Sequence, residues 1–435
     1  MNSLTNLRFW TKAFLAAPLI VLGLYIYMGL PSRFIFPEGS MDTLQPWHPG
    51  FLGWYDLVLG FCLVIGTLAL RVHVPLHDLA VGGFVLAAIV ASVAGSDWGF
   101  SWELLVDDIA YWFRFFAPFV AFVALVNRLG EKAAETVLVG MAAVLMFTSL
   151  FVFRLQYGTL HRFYSSGMTV GSFSQAMLVL FVIAMVRANG PLMLVSALFL
   201  ILTFSRTALA LWVGCLTYYF LSRAGLSIAK RLVYSVLIIL MSGVAVYFLM
   251  RNPEFRFVIE DRLNPDDIAT FNKRFVIWEY GADLVMADRV PLTGIGFHFT
   301  PSVLMDYMIF SPTEGNLLYF PSFHSIILEY GVGLGILAVP IFAGVLWRIW
   351  LTWRFGCYLP FLIFILFFVS QSIDFTFYHP KEVVMWGAFL GVAEGEWIRF
   401  RRLERSRAGR SVRRTSVPQA LAVPALGSAA SETGA

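Results

Sequence analysis

Apolar runs of close to 20 residues recur along almost the whole chain, and this recurrence restricts the fold more than any other feature. An α-helix of 20 residues rises about 30 Å, which matches the thickness of the hydrocarbon core of a bilayer. The chain has 435 residues, of which 59% are hydrophobic and only 13% charged, whereas roughly a quarter are charged in an ordinary soluble protein. The sequence therefore predicts an all-α, polytopic membrane protein.

We predict about twelve transmembrane helices. No small-residue cleavage site follows the first apolar run, so a retained helix is favoured over a signal peptide. The three cysteines, Cys62, Cys215 and Cys357, lie far apart in or beside apolar runs and form neither a disulfide framework nor a metal-binding spacing. The predicted spans are residues 13–30, 51–70, 78–95, 105–126, 134–153, 172–187, 191–205, 207–222, 232–250, 324–347, 358–378 and 383–398.

The basic residues of the short loops indicate the orientation in the membrane. An even number of spans places both termini on one side, and most loop arginines and lysines fall on that side. The positive-inside rule then predicts cytoplasmic termini and a long loop at about 251–323 that is outside or periplasmic. The basic residues on the side of the termini are Arg8, Lys12, Arg71, Arg128, Lys132, Arg187, Arg223, Lys230, Arg231, Arg348 and Arg354. Those on the other side, outside the long loop, are Arg33, Arg154, Arg162, Arg206 and Lys381.

The chain divides into a transmembrane domain, residues 1–398, and a cytoplasmic tail, residues 399–435. The tail is dense in arginine from Arg399 to Arg414, which suits contact with the anionic headgroups of membrane lipids. A simple topology anchor explains the same arginines, and we favour it. The last part, from Ser416 to Ala435, is rich in Ala, Ser and Pro with almost no charge, and is predicted to be disordered.

The long loop contains a predicted amphipathic helix that begins at Asn272, a suitable N-cap residue. Arg274 and Trp278 are four residues apart, so their side chains emerge one turn from each other on the same side. The helix is predicted to stop at PLTGIG, since neither the proline nor Gly294 and Gly296 suits a helix interior. An apolar stripe at helical spacing is formed by Phe275, Trp278, Ala282, Val285 and Met286.

Arg206 and Arg162 are candidate cations on the outer face. Arg206, in LTFSRTALALW, stands where the seventh and eighth spans meet, so its charge is held at the outer membrane edge. Arg162 lies in the outer loop after the fifth span. Together with Arg274 they would form a basic pocket for a diphosphate headgroup, because guanidinium groups bind phosphate oxygens in a bidentate manner. An arginine that snorkels to lipid headgroups explains the position of Arg206 equally well.

Asp107, Asp108 and Arg114 lie within the fourth span, where charged groups are costly and each is a candidate for function. Two adjacent aspartates on one helix point about 100° apart, which disfavours a metal site. Asp107 and Arg114 share a face, and we favour buried charge pairing that fixes helix packing. Three single acids within other spans are explained in the same way: Asp56, Glu329 and Asp374.

His324 stands at the start of the long apolar helix that follows the loop. A lone histidine at a helix end is most often a polar boundary residue. Ser322 is predicted to cap this helix, which would place the imidazole over the positive helix end. That field disfavours the imidazolium and leaves the ring able to accept a proton, as a general base toward a sugar hydroxyl requires. His298 is a weaker candidate for the same role.

Three motifs, taken in order, resemble the O-antigen ligase and polymerase superfamily of bacterial membrane glycosyltransferases. The first is FSRTALA around Arg206. The second is Arg274 with Trp278, followed by PLTGIG. The third is HSIILEYG, which contains His324 and Glu329. The resemblance covers the second half of the chain well, and the first half only through the number and topology of its spans.

The resemblance implies transfer of a glycan from undecaprenyl diphosphate to an acceptor glycan or lipid A–core, with inversion and without a metal ion, cofactor or nucleotide sugar. It implies that Arg206 and Arg274 bind the donor diphosphate and that His324 activates the acceptor hydroxyl. The usual pattern has His-Asn where this chain has His324 and Ser325, so the role of that asparagine is not carried over. The supporting positions are Trp278, Gly294, Gly296 and Glu329.

A polytopic transporter or flippase of lipid-linked sugars is the main alternative. Transporters built from two six-span halves carry a long linker between the sixth and seventh spans, whereas only a few residues separate those spans here. A metal-dependent glycosyltransferase would need acids on the outer face, where Asp97 and Glu103 are candidates without a supporting motif. Ligase, polymerase and protein-glycan transferase remain open, and we expect no nucleic-acid partner.

Overall fold

The computed structural model describes most of the chain in segments separated by gaps. Among these residues are thirteen α-helices and one short antiparallel ribbon, β1–β2, which lies within the long loop. The predicted all-α class is confirmed. The described residues are 2–30, 54–70, 76–95, 102–155, 168, 170–203, 205–222, 265–286, 292–296, 309–311, 316–318, 323–373 and 380–415, with isolated positions between 227 and 251.

The elements follow one another with short connections wherever both neighbours are described. The first eight helices are α1 (Asn2–Gly29), α2 (Trp54–Leu70), α3 (Leu76–Ala94), α4 (Trp102–Leu129), α5 (Glu131–Leu155), α6 (Val170–Val186), α7 (Gly190–Leu202) and α8 (Arg206–Ser222). The long loop holds α9 (Pro265–Met286), β1 (Ile309–Ser311) and β2 (Asn316–Leu318). The remaining helices are α10 (Ile326–Leu334), α11 (Ala338–Arg354), α12 (Tyr358–Ile373) and α13 (Pro380–Thr415), with a 3₁₀ turn at Gly335–Leu337.

Helices occupy eleven of the twelve predicted spans in the described part of the chain. The ninth span, 232–250, lies almost entirely outside it. Three helical stretches are long and apolar enough by themselves to cross a membrane, and six further apolar helices are shorter. The chain is therefore a membrane protein, while the number of crossings and their direction stay predictions. The three long stretches are Leu105–Leu129, Glu131–Leu150 and Ile326–Arg354.

The helices α4 and α13 form the central pair of the bundle and run in the same direction. Gly387, Gly391 and Gly395 recur every four residues on α13 and face α4. A Cβ at Gly387 would lie 2.3 Å from the carbonyl oxygen of Phe115, and one at Gly391 would lie 2.5 Å from that of Phe119. Because no side chain separates them, the two backbones approach closely, as small residues permit between membrane helices.

Arg114 of α4 is buried in an ion pair with Asp56 of α2. Its Nε donates to Oδ1 at 2.8 Å and its Nη2 to Oδ2 at 2.7 Å, and both side chains are 1% exposed. The Tyr27 hydroxyl of α1 donates to the same carboxylate at 3.3 Å. The predicted buried charge pairing is confirmed for Arg114, and the carboxylate that the geometry shows comes from a neighbouring helix.

The two ends of the bundle carry different polar groups. At one end Arg187, which follows α6, donates to Glu135 of α5 at 2.6 Å and pairs with Glu396 of α13. We call this the tail end, because α13 continues beyond it to Thr415. We call the opposite end, where α9 packs, the loop end. The tail end corresponds to the predicted cytoplasmic face.

Replacing Gly391 by alanine should destabilise the fold, because the new methyl group would have to displace the backbone of α4. Forced overpacking of this kind costs about 1–3 kcal/mol. The Tm of the purified protein in detergent, followed by intrinsic fluorescence, measures the loss. Gly344→Ala in α11 is the control, since a Cβ there meets no atom within 4 Å; equal Tm values for both variants would contradict the close contact of α4 with α13.

Candidate functional site

The helix α9 begins earlier than the sequence predicts and buries a different face. It starts at Pro265, so Asn272 is inside the helix and the predicted N-cap is wrong. From residue 274 onward, where its side chains are described, the buried ones are Ile277 and Leu284. The residues Phe275, Ala282, Val285 and Met286 of the predicted stripe are exposed on the protein surface. The spacing indicates that these apolar residues share a face, but not which face another element covers.

A small apolar cluster fastens α9 to α10. It contains Ile277 and Leu284 of α9, Ile295 of the PLTGIG segment, and Phe323 and Val332 at α10. Gly281 of α9 makes room for it, because a Cβ there would lie 2.9 Å from the Phe323 ring. Three stretches that are distant in sequence thereby converge at the start of α10.

At the 3₁₀ turn that follows α10, some helical backbone hydrogen bonds are missing, and the segment 292–296 supplies others in their place. In an unbroken helix Ile336 N–H would donate to Val332 O; here it donates to Leu292 O at 2.9 Å. The Val332 carbonyl instead accepts from Ile295 N–H at 3.1 Å, and the next carbonyl accepts from Gly296 N–H at 2.8 Å. Backbone groups within a membrane protein must be satisfied internally, so this segment allows the predicted tenth span to break at the 3₁₀ turn.

Gly294 and Gly335 are two positions where this arrangement requires glycine. Gly294 has φ +80° and Gly335 φ +56°, in the left-handed region that other residues avoid. A Cβ on Gly294 would lie 2.3 Å from Gly333 O, and one on Gly335 would lie 2.3 Å from Leu292 O. The glycine-containing PLTGIG segment thus has two roles: it ends α9, and it allows its own backbone to contact the backbone at the end of α10.

His324 lies in a strained turn directly before α10. Its φ of +53° is unusual for a residue other than glycine, and such strain often marks functional sites. The N-cap position of α10 is Ser325, whose side chain makes no capping hydrogen bond. The predicted cap at Ser322 is therefore wrong, because the helix begins at Ile326; Ser322 itself lies outside the described residues.

Both backbone groups of Phe323 are held by predicted supporting residues. The buried carboxylate of Glu329 accepts from Phe323 N–H at 2.6 Å, and Trp278 Nε1 donates to Phe323 O at 2.8 Å. Glu329 is only 5% exposed, and a charged partner shortens and strengthens such a bond. The peptide that precedes His324 is therefore clamped between α9 and α10.

Arg274 lies one turn before Trp278 on α9 and contacts a third helix. Its Nη1 donates to Ile373 O, at the end of α12, at 3.2 Å. The carbonyl end of a helix carries partial negative charge, which favours a cation there. The Arg274 side chain is partly exposed, and a guanidinium has five N–H donors, so it can bind more than one acceptor at a time.

Arg206 is the exposed first residue of α8. At the tail end α8 and α12 are adjacent, since the Tyr358 hydroxyl donates to Ser222 O at 3.2 Å and the rings of Tyr218 and Phe361 are 5.1 Å apart. The two helices have 17 and 16 residues and run in opposite directions, so Arg206 and the end of α12 lie at similar depth. Arg206 thus adds its charge to the positive end of α8.

The structure brings His324, Trp278, Glu329, Gly294 and Arg274 together at the loop end. It places Arg206 at the same end, on the helix beside α12. Trp278 and Arg274 donate hydrogen bonds to backbone carbonyls, those of Phe323 and Ile373. These acceptors were not identified from the sequence, because a backbone carbonyl has no residue-type signature. Predicted residues outside the described part are Arg162, His298, Asp97 and Asp374, and no side-chain position is described for Arg154 or Glu103.

The described residues contain no group of three or more His, Cys, Asp or Glu side chains placed to hold a metal ion. The buried acid beside the turn at His324, Glu329, accepts a hydrogen bond from Phe323 N–H. Positive charge at this end of the protein therefore comes from arginines and from the starts of α8 and α10. Such groups bind anions, phosphates among them, without a bound cation.

The segment from residue 191 to residue 343 matches the family model described as O-antigen ligase. The predicted resemblance is confirmed. The O-antigen ligase match extends from α7 into α11 and contains Arg206, Arg274, Trp278, His324 and Glu329. No curated protein matches the chain.

Replacing Trp278 by phenylalanine should loosen the turn at His324, because Phe323 O would lose its hydrogen-bond donor. A lost hydrogen bond of this kind corresponds to about 1 kcal/mol, or about fivefold faster amide exchange. Hydrogen–deuterium exchange of peptides covering 323–329 measures it. Trp212→Phe is the matched control, since the buried Trp212 Nε1 has no hydrogen-bond partner in the described part of the chain; similar exchange in both variants would contradict the clamp.

Proposed function

We propose that this protein transfers a glycan from undecaprenyl diphosphate to an acceptor sugar at the periplasmic face of the bacterial inner membrane. The reaction is metal-independent and inverting, and serves O-antigen ligation or the polymerisation of a surface polysaccharide. One observation carries the proposal: within the segment that matches O-antigen ligase, the peptide before the strained His324 is held by Trp278, which lies one helical turn from Arg274. The same match favours a transferase over a transporter or flippase.

The donor diphosphate binds to Arg206 and Arg274 in this proposal. Both lie at the loop end, and guanidinium groups bind phosphate oxygens in a bidentate manner. The start of α8 adds partial positive charge beside Arg206. Arg162, which lies outside the described residues, is a third proposed ligand. The lipid chain of the donor extends from this position into the membrane.

His324 acts as the general base toward the acceptor. Its imidazole takes the proton of an acceptor hydroxyl while that oxygen attacks the anomeric carbon of the donor glycan. The new glycosidic bond forms as the bond from the anomeric carbon to the diphosphate oxygen breaks. The bonding electrons leave with undecaprenyl diphosphate, whose charge the arginines stabilise. Attack opposite the leaving group inverts the anomeric configuration.

Trp278 and Glu329 serve this reaction by fixing the peptide before His324, and Gly294 and Gly296 by letting the PLTGIG segment pack against α10. Correct orientation of a reacting group accounts for a large part of enzymatic rate enhancement. The acceptor is an acceptor glycan or lipid A–core, and membrane lipids surround the helices. The arginine-rich tail is proposed to anchor the topology on the cytoplasmic side.

Replacing His324 by alanine should lower single-turnover glycan transfer by about 10²–10⁴-fold, as expected for loss of a general base, while donor binding stays close to wild type. Replacing Arg274 or Arg206 by alanine should weaken binding of the lipid-linked donor by about 10- to 100-fold, since charged hydrogen bonds contribute about 1.5–3 kcal/mol. Lysine at either position should restore binding only in part, because an ammonium group lacks the planar fork.

Arg354→Ala is the control for the arginine variants. Arg354 lies at the tail end, with its guanidinium 5.0 Å from the Trp350 ring, and its loss should leave donor binding unchanged. Tm measurements on each variant separate misfolding from loss of function. Wild-type turnover in His324→Ala would refute the assigned base and make His298 the next residue to test.

Excess chelator should leave the transfer rate of the purified protein unchanged. The reason is that arginines neutralise the leaving diphosphate, and the described residues offer no cluster of metal ligands. The measurement is the initial rate before and after dialysis against EDTA. Activity lost on dialysis and restored by Mg²⁺ or Mn²⁺ would refute metal independence and direct attention to Asp97, Glu103, Asp107 and Asp108.

A further inference from the structure

Buried polar side chains fill the loop end of the bundle close to the candidate site. They come from four helices, lie outside the matched segment 191–343, and have no part in the proposed reaction. Polar groups in apolar surroundings are costly unless hydrogen-bonded, and each of these is at most 8% exposed. They are Tyr111 of α4, Ser172 and Gln175 of α6, Gln371 of α12, and Glu382 and Trp386 of α13.

Glu382 connects three of these helices. It stands in the first turn of α13, where the helix dipole stabilises a carboxylate. One carboxylate oxygen accepts from the Ser172 hydroxyl, and the other accepts from Gln371 Nε2 at 3.3 Å. Gln371 Nε2 also donates to Gln175 Oε1 at 2.6 Å, and that oxygen accepts from Trp386 Nε1 at 3.2 Å.

The link from Glu382 to Arg274 runs through the last turn of α12. Gln371 is two residues before Ile373, whose carbonyl accepts from Arg274. The hydrogen bonds of Gln371 fix the rotation of this turn, and the rotation decides where the Ile373 carbonyl points. Glu382 therefore contributes to the placement of Arg274, although the two side chains lie on different elements.

A second link runs from α12 to the histidine turn through the packing of α10 against α12. Tyr330 of α10, which directly follows Glu329, and Phe368 of α12, less than one turn before Gln371, both contact the Phe342 ring of α11. Glu329 in turn holds the peptide that precedes His324.

Glu394 shows the contrasting case of a buried acid on the same helix. It is 2% exposed and accepts from Arg348 Nη2 at 2.7 Å at the tail end. This charge pair joins α11 to α13 at the end of the bundle opposite the candidate site, and Arg348 also pairs with Asp78 of α3 at 3.6 Å. A buried acid that serves helix packing alone should behave like Glu394 on substitution.

We propose that Glu382 is a positioning residue for glycan transfer. It holds the loop ends of α6, α12 and α13 in one arrangement, so that Arg274 and His324 keep their relative placement. Without its carboxylate, the glycine contact still joins α13 to α4, but the last turn of α12 is less well fixed. The catalytic consequence rests on the proposed function, whereas the ordering of the two elements does not.

Glu382→Gln tests the proposal, with Glu394→Gln as the matched control on the same helix. Both full-length variants are studied in the same lipid nanodiscs with an undecaprenyl-diphosphate-linked glycan as donor. In Glu382→Gln we expect kcat/KM for the donor to fall about 10- to 100-fold, the range that a small misplacement causes. We also expect faster amide exchange in residues 272–278 and 323–329. Folded Glu394→Gln protein should show the wild-type kcat/KM and wild-type amide exchange.

Ser172→Ala is the milder variant if Glu382→Gln folds poorly, because it removes one hydrogen bond to the carboxylate. Its control is Ser196→Ala, since the buried Ser196 hydroxyl donates to Leu192 O of its own helix. Ser172→Ala should change kinetics and exchange in the same direction as Glu382→Gln, and Ser196→Ala should change neither. Wild-type behaviour of Ser172→Ala and Glu382→Gln, or equal losses in the controls, would overturn the proposal.

Transfer kinetics and amide exchange together distinguish a failure of this proposal from a failure of the proposed function. If the wild-type protein transfers no glycan, the proposed function fails and amide exchange alone decides the role of Glu382. Faster exchange at 272–278 and 323–329 in Glu382→Gln, with wild-type exchange in Glu394→Gln, would then support the ordering role. Exchange that is equal in the two variants would overturn it.

Discussion

The close approach of α13 to α4 sets the arrangement of the bundle. Where Gly387 and Gly391 meet the backbone of α4, the fit leaves no room for axial sliding, and the loop ends of both helices are fixed together. A shift of α13 by one turn would move Glu382 by about 5.4 Å and separate it from Ser172 and Gln371. The polar groups beneath the candidate site therefore depend on an apolar contact more than a turn away.

Much of the helical framework could be predicted from the sequence, because the length of an apolar run is set by the bilayer and needs no knowledge of neighbours. Features that depend on packing against neighbouring elements could not be predicted from the sequence. The apolar stripe of α9 was recognisable, but periodicity does not say that Ile277 and Leu284 face the protein while Val285 faces outward. The cap at Ser322 failed for a related reason: the clamp on Phe323 delays the start of α10 to Ile326.

The candidate site shows the same division. Arg206, Arg274 and His324 could be selected because a charge or an imidazole at the edge of an apolar run is costly and has few explanations. Their supports could not be assigned, since Trp278 and Arg274 bind backbone carbonyls and Glu382 meets its partners only after α6, α12 and α13 have packed. The glycine repeat GAFLGVAEG is visible in the sequence, but its partner helix is not.

The stretch of chain between Gly296 and Phe323 is anchored to α10 at both of its ends. Gly296 N–H donates a hydrogen bond to Gly333 O near the end of α10. Phe323 N–H donates to Glu329 at the start of the same helix, about 12 Å away along the helix axis. Because both departure points are fixed independently of what lies between them, and because closing a longer loop adds little entropic cost, evolution can lengthen, shorten or rewrite this stretch without disturbing the histidine. Under the proposed function, such a change would alter the surroundings of the acceptor while His324 keeps its place.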